Sequence, residues 1–113
     1  MTEKTIFDMI INKEIPYDEV YSDKECIAFK DIAPQAPIHF LIIPRKVISS
    51  LRNIEENDKD LLGHLLFVAK KIAIEYNLES WRTVINTGEG AGQTVFHLHI
   101  HILSGRRMKW PPG

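Results

Sequence analysis

Apolar and polar positions along the chain follow two periods, and each period marks a kind of element. Alternating or fully apolar runs bounded by turn residues predict five strands: Glu19 to Tyr21, Cys26 to Lys30, Ile38 to Ile43, Trp81 to Asn86 and Val95 to Ser104. Ser22-Asp23-Lys24 provides a turn between the first two, Pro34 and Pro37 mark the loop before the third, and Pro44 closes it. Thr5-Ile6-Phe7-Asp8 reads as a capping box that opens a short helix to about Asn12. Residues 45–57 are polar and loop-like.

The helical period is strongest from roughly Asp58 to Tyr76. At about 100° per residue, Leu61, Leu62, Leu65, Leu66, Val68, Ala69, Ile72 and Ala73 form one wide apolar stripe. Gly63, Phe67 and Ile74 form a second ridge outside it, while His64 shares the polar, solvent-facing side with Asp60 and Lys71. One sheet covers only one side of a helix. The second ridge therefore calls for another partner: a second copy of the chain, or a loop of the same chain.

The chemistry gathers in the last predicted strand, where Phe96-His97-Leu98-His99-Ile100-His101-Ile102-Leu103 alternates imidazoles with bulky apolar residues. A strand sends successive side chains to opposite faces, so the three histidines share one face while Phe96, Leu98, Ile100 and Ile102 enter the core. Three groups that titrate near neutrality, fixed in a row, point to a site. Asn86-Thr87-Gly88-Glu89-Gly90-Ala91-Gly92-Gln93-Thr94 leads into that strand, and glycine-rich backbone brings N–H groups close to an anion such as phosphate. Two plainer readings compete. Histidines at i and i+2, with His39 added, can ligate zinc, but the glycine loop then has no task. A row of core histidines bonded to backbone is the other.

Composition changes this picture little. At 113 residues the chain fits one domain, 1–113, with one core. A formal net charge of −1 gives no basic footprint for a nucleic-acid backbone, and no polybasic or long apolar run marks a membrane contact. No signal-peptide pattern opens the chain, and the single Cys26 has no intrachain disulfide partner. A cytoplasmic protein is expected, with nuclear entry open to one so small, and Cys26 reads as a buried structural thiol.

His97-Leu98-His99-Ile100-His101-Ile102-Leu103 matches the His-φ-His-φ-His-φ-φ signature (φ apolar) of the histidine triad superfamily. Asp31-Ile32-Ala33-Pro34-Gln35-Ala36-Pro37-Ile38-His39-Phe40 resembles the nucleoside-binding segment of its nucleotide-binding branch. Gly105-Arg106-Arg107-Met108-Lys109-Trp110-Pro111-Pro112-Gly113 resembles that branch's C-terminus, so the likeness runs from about Ile6 to the end. It implies an α+β fold: a five-stranded, largely antiparallel sheet with one short and one long helix, paired into a homodimer.

The resemblance further implies hydrolysis of purine nucleoside 5′-phosphoramidates, AMP-linked amines above all and acyl-adenylates besides, with no cofactor or metal. His99 is implied as the nucleophile, forming a nucleotidyl-histidine that water hydrolyses. Its attacking nitrogen must be unprotonated, so the other should donate to a carbonyl or carboxylate. His101 is expected to serve the leaving group, and His39 to hydrogen-bond His97. Asp31 is implied to accept both ribose hydroxyls. Phe7, Ile10, Phe29 and Ile32 are candidates for a slot around the base, with core packing the alternative for some. Asn86 is a candidate contact to phosphate or leaving group, and Gly92, Gln93 and Thr94 candidate backbone donors, the Thr94 hydroxyl adding one contact. Thr94 departs from the serine common in that branch, and its methyl restricts χ1. Trp110 reads as a core plug or a lid. Two other functions stay open. One is a dinucleoside polyphosphate hydrolase of a sister branch, against which the Trp110-Pro111-Pro112-Gly113 ending argues. The other is a non-catalytic nucleotide-binding or interaction module.

Overall fold

The capping box at the first helix forms as the sequence dictates. The Asp8 N–H donates to Thr5 Oγ1 at 3.2 Å and the Thr5 N–H to Asp8 Oδ2 at 2.8 Å, so two otherwise unpaired donors are satisfied reciprocally. That helix, α1 (Ile6–Ile11), precedes β1 (Glu19–Ser22), β2 (Cys26–Lys30), β3 (Ile38–Pro44), α2 (Lys59–Glu75), β4 (Arg82–Val84) and β5 (Ile100–Ser104). This computed structural model describes residues 4–113; residues 1–3 of the expected 1–113 span lie outside the described ones. The strands form one sheet in the order β1-β2-β3-β5-β4, every pair antiparallel. The expected α+β architecture is therefore present. The polar 45–57 stretch is not plain loop: it winds two 3₁₀ turns, Leu51–Asn53 and Glu56–Asp58.

Each face of the sheet has its own core, because β2 and β3 are buried on both sides. On one face Ala28, Phe40, Ile42, Ile100 and Ile102 meet Leu65, Val68, Ala69 and Ile72 of α2. On the other, Ile27, Phe29, Leu41 and Ile43 meet Phe7 and Ile10 of α1. Two apolar assignments need correction. Leu66 is 44% exposed, outside the buried stripe and level with the second ridge, where Phe67 and Ile74 are 59% and 60% exposed. Phe96 is half exposed instead of buried beneath the histidines.

The regular strand also begins later than its alternation predicts. Ile42 pairs with Ile100, so continuation of the ladder would set Pro44 against Leu98. Proline has no N–H to give, the Pro44 carbonyl accepts from His97 Nε2 at 2.8 Å, and the Leu98 N–H turns away to the Ile48 carbonyl at 2.7 Å. Residues 95–99 are thus bent chain outside the ladder, and β5 starts at Ile100.

His64 is not an idle surface residue. Its Nε2 meets Asp23 Oδ2 at 2.7 Å, which also accepts from the Tyr21 hydroxyl at 2.9 Å. Asp23 Oδ1 accepts the N–H groups of Glu25 and Cys26, so α2 is pinned to the β1–β2 turn through one carboxylate. Burial pushes the neighbouring Cys26 thiol up to about 12, in keeping with a structural role. No helix among the described residues is long and apolar enough to cross a membrane.

Candidate active site

The three histidines keep one side of the chain despite the shortened strand, and it is the side that α1 covers. The Phe7 ring lies edge-on to His97 and His99, with centroids 6.1 and 5.0 Å away, and the His99 and His101 rings are 5.0 Å apart. Between α1 and the sheet opens a cavity of about 570 Å³, a size ordinary for small-molecule sites. Phe7, Ile10, Phe29 and Leu41 line its apolar part, and Asp31, Thr94, His99 and His101 its polar part.

The hydrogen bonds assign the ring protons. His99 Nδ1 sits 2.7 Å from the His97 carbonyl, which only accepts, so Nδ1 carries the hydrogen and Nε2 a free lone pair. That is the orientation a nucleophilic ring requires. The Gln35 N–H donates to His39 Nδ1 at 3.0 Å, which leaves the His39 hydrogen on Nε2. His39 Nε2 lies 2.9 Å from His101 Nδ1, with Asp31 Oδ2 a weaker acceptor at 3.4 Å. His101 must then hold its own hydrogen on Nε2, the edge left for the cavity. His39 therefore supports His101, and not His97 as its strand position suggested. The register explains why: His39 lies opposite Leu103 and Leu41 opposite His101, one pleat away on the same face.

Burial keeps these rings neutral. It is the largest cause lowering His99, aided by the charge of His97 and opposed by the carbonyl of His97 and by Asp31. His101 is pushed down to about 4, by burial first and then by His99 and His39. Burial also lowers His39, with Asp31 opposing.

The glycine loop plays a different part from the one expected. The N–H of Gly92 is bonded to the Glu89 carbonyl and that of Gln93 to the Gly88 carbonyl, so neither is free for phosphate. The buried Gln93 side chain is an internal strut: its oxygen accepts the Gly88 N–H at 2.9 Å, and its nitrogen donates to the Ser49 and Val95 carbonyls at 2.8 and 3.1 Å. Asn86 does not line the cavity; it packs against Gly92, whose φ of +96° is the left-handed backbone that favours glycine. Thr94 does line it. Ile32 reaches the rim but is 93% exposed, so in this chain it closes nothing. Trp110 is 84% exposed and is no core plug.

Two supports escaped the sequence. The Gln35 amide sets the His39 tautomer, and Arg106 Nε holds the Gln35 carbonyl at 3.0 Å. Gly105 lets the tail fold back there: its φ is +94°, and a Cβ would stand 2.9 Å from Pro37. A backbone donor carries no residue-type signal, so only the resemblance marked that loop. Asp31, His39 and His101 could together offer a cation three donor atoms within 4.8 Å of one another, as could Asp23, Cys26 and His64. In both sets hydrogen bonds already tie the histidine to its neighbours without a cation.

Known proteins share this sequence and fold. The family described as scavenger mRNA decapping enzyme C-term binding matches residues 4–110. An uncharacterized HIT-like protein of Synechococcus elongatus is 55% identical over 114 residues, spanning 100% of both chains. A 14 kDa zinc-binding protein of Zea mays is 51% identical over 112 residues, covering 96% of this chain and 88% of that one. The crystal structure of a HIT family hydrolase from Legionella pneumophila superposes with a TM-score of 0.95 at 45% identity, covering 97% of this chain and all of the other. The chain belongs to the histidine triad (HIT) family.

Proposed function

We propose that the protein hydrolyses purine nucleoside 5′-phosphoramidates, AMP-linked amines in particular, through a covalent nucleotidyl-His99. The observation that carries this reading is the His99 ring: neutral, locked by its Nδ1–H on the His97 carbonyl, with Nε2 unengaged beside a nucleotide-sized cavity. The apolar wall of Phe7, Ile10 and Phe29 suits a base, and Asp31 at the end of β2 suits ribose hydroxyls.

In this scheme Nε2 of His99 forms a bond to the α-phosphorus as the P–N bond to the amine breaks. The departing nitrogen gains its proton from solvent, while His101, whose Nδ1 already accepts from His39, stays neutral and directs its Nε2–H toward the leaving-group side. Water then adds to phosphorus and gives up a proton to solvent, balancing the one the amine took, and the P–N bond to His99 breaks to release AMP. Pairing of two copies through the exposed α2 ridge belongs to the same reading.

Rapid-quench mass spectrometry during turnover is expected to find the nucleotidyl group on the peptide bearing His99. His99→Ala loses adduct and hydrolysis while still binding AMP. Turnover without any adduct overturns the mechanism, and faster turnover of diadenosine polyphosphates than of AMP-amines overturns the substrate. The chemistry needs no metal, so activity persists after exhaustive chelation; the zinc-binding name of the maize relative makes that a pointed test.

A further inference from the structure

Helix α1 carries a carboxylate oxygen that neither capping nor the scheme above uses. Asp8 closes the capping box with Oδ2, which accepts from the Thr5 N–H and hydroxyl. Oδ1 points inward and lies 3.6 Å from Nδ1 of His97. His97 is wholly buried, its Nε2 is bonded to the Pro44 carbonyl at 2.8 Å, and its Nδ1 has no hydrogen-bond partner among the described residues. Because a carbonyl only accepts, the Nε2 site holds a hydrogen. A neutral ring would then leave a bare lone pair facing a carboxylate in a dry interior, which is repulsive and leaves a buried polar atom unpaired. The gap is too long for a direct hydrogen bond and too short to admit a water between the two atoms. A second ring proton, on Nδ1, turns the same approach into an ion pair.

The position matters because two routes run from this contact to His99. Phe7, next to Asp8 on α1, lies against both the His97 and His99 rings. The His97 carbonyl is the acceptor that orients His99 Nδ1.

We propose that Asp8 is a positioning residue: its Oδ1 pairs with a doubly protonated His97, holding α1 across the triad and fixing the carbonyl that aims His99. The proposal rests on His99 being the nucleophile. Around the His97 ring the facing groups are Asp8 and Phe7 from α1, the Pro44 carbonyl from β3 and the adjacent His99.

Long-range 1H–15N correlation spectra of histidine-labelled protein read each ring nitrogen without any substrate. In the wild type near neutral pH, both His97 nitrogens are expected to carry protons; in Asp8→Ala and in Asp8→Asn only Nε2 does. For an AMP-linked amine, kcat of Asp8→Ala falls on the order of ten- to a hundredfold while AMP affinity changes less than about threefold. Thr5→Val, which weakens the cap but keeps the carboxylate, retains the doubly protonated ring. A wild-type His97 with a bare Nδ1 overturns the proposal, as does wild-type kcat in Asp8→Ala. If Asp8→Ala does not fold, the spectrum of Asp8→Asn decides the same point. If the wild type hydrolyses no phosphoramidate, the spectra still decide the pair, and the nucleophile reading fails separately.

Discussion

A histidine nucleophile works only when its attacking nitrogen is unprotonated, so the environment of His99 fixes the pH dependence of the proposed reaction. Burial lowers His99 below its ordinary 6.5 and takes His101 down to about 4. Protonation of the free enzyme therefore removes the lone pair only on the acid side of 6.5. The expected kcat/KM profile is flat from mildly alkaline pH down through neutrality and falls only in acid. Asp31 is among the groups that raise both rings, opposing burial. Asp31→Asn should therefore move the acid limb to still lower pH, while raising KM through the lost ribose acceptor. A limb that moves toward neutrality in this variant would mean that Asp31 does not act on the rings as a charge.

At the scale of elements, the 86–94 loop is held by its own backbone bonds and by one side chain, Gln93, which ties it to the rest of the molecule. Gln93→Ala leaves the Gly88 N–H and the Ser49 and Val95 carbonyls without their partner in a buried place. A loss of stability on the order of 3 kcal/mol is expected, read as a lower denaturant midpoint with unchanged slope. Thr94 and the bent 95–99 segment hang from this strut, so activity should fall with it even under conditions where the chain stays folded. The same region shows where pattern reading stops. Alternation placed the three histidines on one face, because side-chain direction survives a bend. It did not show that the ladder ends at Pro44, since that depends on which residue a distant strand sets opposite Leu98. A glutamine beside glycines resembles a phosphate donor until its partners are known. The capping box, the strands of the sheet and the α2 core stripe were legible because they rest on local or periodic signals. The His39–His101 bond and the His64–Asp23 tie were not, because each depends on register or on how α2 lies across the β1–β2 turn.

For the whole molecule, the open question in the fold is what covers α2. Phe67 and Ile74 are 59% and 60% exposed and Leu66 44%, while no segment of the described chain lies over Gly63: an added Cβ meets nothing within 4 Å. Within an isolated chain, Gly63→Ala should stabilise the helix by roughly 1 kcal/mol, because the glycine costs conformational entropy and no neighbour objects to the methyl. If a second copy brings its helix against this ridge, as proposed, the sign reverses. The methyl then meets the partner's backbone, and both the unfolding temperature and its dependence on protein concentration drop. Phe67→Glu complements this test, since burying an unpaired carboxylate in such an interface is costly. Sedimentation is expected to show Phe67→Glu as a monomer at concentrations where the wild type is a dimer. Should Gly63→Ala be stabilising and Phe67→Glu leave the sedimentation unchanged, the ridge would not be where two copies meet.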